Sequence, residues 1–176
     1  MKDIEEKEHI YKLLVSIGDA TIEPTKAWLR RNTNFAIPIR LIERFEGKAK
    51  TVDFLLELLG LEMDPFKPEK KRQLIIKLGD YVDPRMIEQV SACLKDYDEG
   101  VRLAAIETLH SQSSPQTKDA LLEALANPQE ESNRLRIRLA EIFQQCNWDL
   151  GDQGERLTQN PPVGWTVSNN HLIIEA

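Results

Sequence analysis

Cysteine, histidine and aromatic residues are scarce in this 176-residue chain, and each shortage closes off a class of chemistry. Two cysteines, Cys93 and Cys146, are too few for a disulfide framework and suit a reducing compartment. Neither has a Cys-x-x-Cys neighbour, and neither is expected to act as a nucleophile. Cys93 falls on the apolar side of its segment, which predicts a core position. The three histidines, His9, His110 and His171, stand in separate segments without a cysteine or carboxylate at metal-ligand spacing. Surface positions are expected for all three. No Walker-type loop, Gly-x-Gly-x-x-Gly or Gly-x-Ser-x-Gly motif occurs. No apolar run approaches the roughly 18–20 residues of a membrane span. The start, Met1-Lys2-Asp3-Ile4-Glu5-Glu6, is more acidic than a signal or transit peptide would be. Positive charge is the minority: 23 Lys and Arg stand against 29 Asp and Glu, a formal net charge of −6. That balance argues against nucleic acid as the partner. A cytoplasmic protein without enzyme activity, cofactor, metal or membrane contact is the expectation.

What the chain does have is repetition. Pro84 and Leu94 recur as Pro115 and Leu125, both 31 residues on, and Leu74, Ile75 and Leu78 map onto Ala105, Ile106 and Leu109 at the same spacing. The segment Thr51-Val-Asp-Phe-Leu-Leu-Glu-Leu-Leu59 matches Thr117-Lys-Asp-Ala-Leu-Leu-Glu-Ala-Leu125 at six of nine positions, 66 residues on. Val101-Arg102 and Leu109 return as Leu135-Arg136 and Phe143 at a spacing of 34, the extra residues falling in the polar stretch Gln129-Glu130-Glu131-Ser132. Spacings of 31 to 35 with insertions confined to loops mark an α-solenoid.

Each repeat reads as two helices. Ile87, Val90 and Leu94 lie at helical spacing in a first helix, as do Leu55, Leu58 and Leu59. Val101, Ala105 and Leu109 form the stripe of a second helix, as do Leu135, Leu139, Ile142 and Phe143. Asp83-Pro84 and Ser114-Pro115 each set a capping side chain before a proline at the first helical position. Gly18, Gly47, Gly60 and Gly79 follow apolar runs and suit helix C-termini. Nine helices are predicted, over 4–17, 24–32, 35–46, 50–60, 68–78, 84–95, 99–110, 115–126 and 132–146: one orphan helix and four hairpins.

Asp98-Glu-Gly-Val-Arg102-Leu-Ala-Ala-Ile-Glu-Thr-Leu109 resembles the second helix of a HEAT repeat, of the kind also found in phycobilin lyase-like repeats. Leu135-Arg136-Ile-Arg-Leu-Ala-Glu141 fits the same pattern, and the likeness covers roughly residues 10–146. It implies an all-α fold, a right-handed α-α superhelix. It also implies a structural ladder made by Arg102 and Arg136 with Lys71, each bridging to a loop carboxylate in its own or the adjacent repeat. Asp96 and Asp98 are on hand for Arg102, and Glu130 and Glu131 for Arg136. The functional alternative is a basic ladder that holds an acidic ligand.

Residues 1–148 therefore form the repeat domain and 149–162 a linker, read as loop from Gly151, Gly154, Asn160, Pro161 and Pro162. In 163–176, Trp165-Thr-Val167 and Leu172-Ile-Ile174 flank Ser-Asn-Asn-His. A two-residue Asn169-Asn170 turn would pair Val167 with Leu172 and Trp165 with Ile174. Such a hairpin is marginal alone, so it is expected to cap the last helices or to offer an edge to a partner.

The function expected of this architecture is that of an adaptor, with another protein bound along a concave face of second helices. Glu107, Arg134, Arg138 and Glu141, with the basic Lys70 and Lys77, are the candidate contacts. Arg134, Arg138, Glu141 and Gln145 share one stripe opposite Leu135, Leu139 and Phe143. Lys67, Lys70, Lys71, Arg72 and Lys77 form a basic cluster that only Glu69 offsets locally. Resemblance to phycobilin lyase-like repeats implies a second class, an accessory subunit binding a tetrapyrrole or its acceptor protein. A third is a HEAT-like alkylpurine DNA glycosylase, for which Trp28, Trp148 and Asp149 are the available residues. A homo-oligomer stacked through the first helix is a further expectation.

Overall fold

A computed structural model of the chain describes residues 2–62, 64, 67–112 and 114–175. The chain divides into two compact units, residues 1–81 and 82–176. Both are built from helical hairpins, and the fold class is all-α with one short β-hairpin.

The first unit holds α1 (Lys2–Ile17), a 3-10 turn (Asp19–Thr21), α2 (Ile22–Leu29), α3 (Ala36–Glu46), α4 (Lys48–Leu61) and α5 (Pro68–Leu78). From α2 to α5 consecutive helices pack on each other, and α1 lies on α3. Gly18 and Gly47 end their helices with φ of 85° and 84°, a region where only glycine is free of strain. Gly60 does not end a helix, because α4 runs on through Leu61. Leu29, Leu41, Ile42, Leu55, Leu58 and Leu74 form the core.

The second unit holds a 3-10 turn (Pro84–Met86), α6 (Ile87–Ala92), a 3-10 turn (Cys93–Lys95), α7 (Glu99–Gln112), α8 (Pro115–Leu125) and α9 (Asn133–Gln145). After these come a 3-10 turn (Gly151–Gln153), α10 (Gly154–Gln159), β1 (Trp165–Ser168) and β2 (His171–Ile174). Helix α6 packs on α7 and α8, and α7 on α8 and α9, so first helix meets first helix and second meets second. The predicted stripes are the core: Val101, Ala105, Leu109, Leu135, Leu139, Ile142 and Phe143 are all buried.

The 66-residue repetition has a structural counterpart. Thr51 and Thr117 are both 0% exposed. Each turns its hydroxyl back to a carbonyl, Thr51 Oγ1 to Gly47 O at 2.9 Å and Thr117 Oγ1 to Ser114 O at 2.6 Å. A buried threonine is tolerated there because the preceding turn satisfies its hydroxyl. The caps are partly as predicted. Asp83 accepts from the Arg85 N–H at 3.0 Å as expected, the Ser114 side chain makes no capping bond, and Ser132, not foreseen as a cap, accepts from the Leu135 N–H at 3.3 Å.

The segment 149–162 differs from the loop expected. It folds into a 3-10 turn and α10, whose Leu157 is buried, as is the preceding Leu150. The hairpin has the expected register, Trp165 opposite Ile174 and Val167 opposite Leu172. Asn169 and Asn170 take φ of 49° and 61°, the positive values a tight two-residue turn needs. It docks as a cap, β2 on α9 and β1 on α10, burying Trp165 and Leu172. The Asn170 carbonyl accepts from the Leu150 N–H at 2.9 Å, and its side-chain amide donates to Gly151 O at 3.2 Å.

Candidate functional site

Helices α7 and α9 lie side by side with their apolar stripes turned inward, which leaves a band of charge on their other side. Arg138 joins the two. Its Nε donates to Glu107 Oε1 at 2.6 Å, its Nη2 to Glu107 Oε2 at 2.9 Å and its Nη1 to Glu141 Oε2 at 3.1 Å. The hydrogen bond from Arg138 holds the Glu107 carboxyl below its ordinary range, and the same bond raises Arg138. A turn earlier on α9, Arg134 Nη1 stands 3.7 Å from Glu99 Oε1, with 71% of the arginine side chain exposed. Four of the predicted contacts, Glu107, Arg134, Arg138 and Glu141, therefore share one face. Glu99, absent from the prediction, completes a second rung there.

The other two predicted contacts lie in the first unit and are engaged locally. Lys70 Nζ is 2.6 Å from Glu62 Oε1 and donates to Arg30 O at 2.8 Å. Lys77 pairs with Asp80 at 2.6 Å. The basic cluster around α5 is in fact balanced: Arg72 pairs with Glu69 at 2.6 Å, and Lys67 stands 4.0 Å from Asp64. Acidic residues from the preceding loop and the end of the helix supply what Glu69 alone does not.

In the second unit both arginines of the ladder are engaged by protein groups, with partners one step further along than expected. Arg102 forks onto Glu130, Nε to Oε2 at 2.8 Å and Nη2 to Oε1 at 3.0 Å. Its Nη1 also donates to the carbonyls of Asp96 and Tyr97 at 2.8 and 3.0 Å. Asp96 thus contributes its carbonyl, while Asp98 accepts from the Val101 N–H at 2.9 Å and starts α7. Arg136 meets neither Glu130 nor Glu131; its Nη2 donates to Asn160 O at 2.6 Å, at the end of α10. The C-terminal segment stands where a next repeat's loop would stand. Lys71, the third member of the predicted ladder, is half-buried near the start of α5.

Trp148 and Asp149, singled out for another chemistry, have structural partners. Trp148 packs edge-on against Phe143, ring centroids 5.3 Å apart. Asp149 pairs with Lys118 at 2.7 Å and accepts from the Gly151 N–H at 3.0 Å, contacts that lower its carboxyl. Trp28 sits in the first unit, partly exposed on α2. Cys93 is half-buried rather than core, its Sγ 3.5 Å from Gln89 O. His9 is exposed, but His110 and His171 are half-buried. Spacing in the chain gave no sign that His110 and Cys146 meet, yet Nδ1 and Sγ are 3.9 Å apart where α7 passes the end of α9. Among the described residues no group of three or more His, Cys, Asp and Glu could hold a metal ion. Nor is any described helix long and apolar enough to cross a membrane.

A family model for HEAT repeats matches residues 52–140, half of the chain, and takes in the hairpins from α4 to most of α9. No curated protein and no solved structure matches. The match supports the repeat type and does not single out the phycobilin lyase-like subtype. Matched helices, repeated buried threonines and the stacking of α6–α7 on α8–α9 agree, and the chain belongs to the HEAT-repeat family, whose repeats generally mediate protein–protein interaction.

Proposed function

We propose that this protein is a non-catalytic adaptor that binds another protein on the face carried by α7 and α9. The observation that carries the reading is the band of charge formed by Glu99, Arg134, Glu107, Arg138 and Glu141, which stands outside the core and needs no partner for folding. The exposed Arg134–Glu99 pair is worth about 0–1 kcal/mol, so a partner can exchange it for its own charges at little cost, while the half-buried Arg138 fork fixes Glu107 and Glu141 in place. Alternating sign along the band favours register and partner choice over raw affinity. Family membership supports the class of function. Both cysteines lie outside any disulfide, which supports a reducing, cytoplasmic setting.

The test is affinity capture from the native soluble lysate, with bound proteins identified by mass spectrometry. Wild type runs beside Arg134→Glu and Arg134→Glu/Arg138→Glu, all checked for equal helical content. A stoichiometric protein lost in the variants supports the reading. Retention of nucleic acid alone, or of nothing, overturns it, and a partner held equally by all three places the contact elsewhere.

A further inference from the structure

On the first-helix side of the second unit a groove of about 1210 Å³ opens between α6 and α8, bounded by the loop after each and by Arg156 of α10. Ala92, Ala120, Leu122 and Ala124 offer its apolar surface, over the buried Leu94, Leu135 and Leu139. The charge around them is one-sided: six carboxylates line the groove against three cations, Lys95, Arg102 and Arg156. Two of those cations are already engaged, Arg102 by Glu130 and Lys95 by Glu123 at 2.9 Å. Glu88, Asp119 and Glu131 have no hydrogen-bond or ion-pair partner among the described residues.

Tyr97 stands in the same lining with 86% of its surface exposed. Its loop is held firmly, because the Tyr97 carbonyl accepts from Arg102 and the Asp98 N–H donates to Asp96 Oδ1 at 3.0 Å. A ring presented on a fixed loop beside carboxylates is suited to the ammonium or guanidinium of an incoming side chain. Apolar surface between acidic walls matches a segment in which cationic and apolar side chains alternate by face.

We propose that this groove docks a basic amphipathic segment of another protein. Its lysines or arginines pair with Glu88, Asp119 and Glu131 and stack on Tyr97, while its apolar side chains lie over Leu122 and the neighbouring alanines. The residues proposed to meet the segment, Glu88, Tyr97, Asp119 and Glu131, lie on α6, α8 and the loops after them, so the proposal does not rest on the α7–α9 charge band and the two can fail separately.

The test is a fluorescence-anisotropy titration of the full chain with a labelled peptide of about twelve residues, near 18 Å long as a helix, with arginine and leucine on opposite faces. Saturable, salt-sensitive binding is expected for wild type, weakened about tenfold or more in Glu88→Gln/Asp119→Asn/Glu131→Gln and severalfold in Tyr97→Ala. A charge-matched control in the first unit, Glu5→Gln/Glu6→Gln/Asp19→Asn, keeps wild-type affinity, as does Arg134→Glu. Circular dichroism verifies that each variant folds. Absence of saturable binding overturns the proposal, and so does an equal loss in the charge-matched control, which would trace binding to net charge. Self-association that the groove variant abolishes, without peptide binding, would instead assign the groove to a second copy of the chain and overturn the basic-segment partner.

Discussion

Arg102 offers the sharpest test of whether the arginine ladder holds the fold or awaits a ligand. Its guanidinium makes four hydrogen bonds, two to Glu130 and two to loop carbonyls. Only 17% of its side chain and 9% of Glu130 remain exposed. Removing one partner of a fully buried pair costs about 3–5 kcal/mol; with both groups still partly wet, Arg102→Ala should cost about 2–3 kcal/mol. Glu130→Ala should cost somewhat less, because Arg102 keeps its two carbonyls. Glu130 also accepts from the Ser132 N–H at 2.9 Å, so its loss disturbs the start of α9 as well. A double-mutant cycle isolates the pair, and its coupling should be about 1–2 kcal/mol. Arg102→Lys should recover only part of the loss, since an ammonium cannot fork onto both carboxylate oxygens. Urea unfolding followed by far-ultraviolet ellipticity reads all of these. Coupling under about 0.5 kcal/mol, the level expected of independent sites, would refute a structural ladder.

Other consequences are open to the same assay. A Cβ at position 154 would overlap Asn170 Oδ1, so Gly154→Ala should swing the exposed Asn170 side chain off Gly151 O and cost about 0.5–1.5 kcal/mol, the worth of that hydrogen bond. Trp165→Ala should cost about 3–5 kcal/mol, the usual range for emptying a buried aromatic site, because Trp165 is part of the second unit's core; a loss under about 0.5 kcal/mol, as at a surface position, would mean the hairpin is not docked. The lowered carboxyl of Glu107 means that, as pH falls below the ordinary glutamate value of about 4.3, the unfolded chain takes up its proton before the folded one does. Its contribution is therefore present above that value and lost as pH falls through the folded one. Glu107→Gln should flatten the acid limb of stability against pH, and an unchanged limb would contradict the assignment.

Much of the fold was legible because it rests on local periodicity. The match of Thr51–Leu59 to Thr117–Leu125 foretold two helices with the same buried residues, and the Asn169-Asn170 turn foretold a register that fixes which side chains face α9. Helix α10 was hidden because its six residues span less than two turns and bury only Gly154 and Leu157. The charges were harder to read. Glu130 lies 28 residues from Arg102, beyond any local window, and nearer acids in the α6–α7 loop were the natural guess. Likewise, the excess of lysine around α5 looked unbalanced in the chain, yet Glu62 and Asp80 close on Lys70 and Lys77 once the helix ends are in place. The α7–α9 band was found through the one stripe visible on α9, whereas its α7 half showed itself only in part, through Glu107.

Binding of another protein across α7 and α9 can be probed in place. A photo-crosslinking residue placed at Gln145, exposed on the charged side of α9, tests it directly when compared with one at Gln116 on α8, which is also exposed. In the native lysate one discrete crosslinked protein is expected from position 145, absent from position 116 and lost when Arg134→Glu is added. Crosslinks of equal yield from both positions, or from position 116 alone, would contradict it.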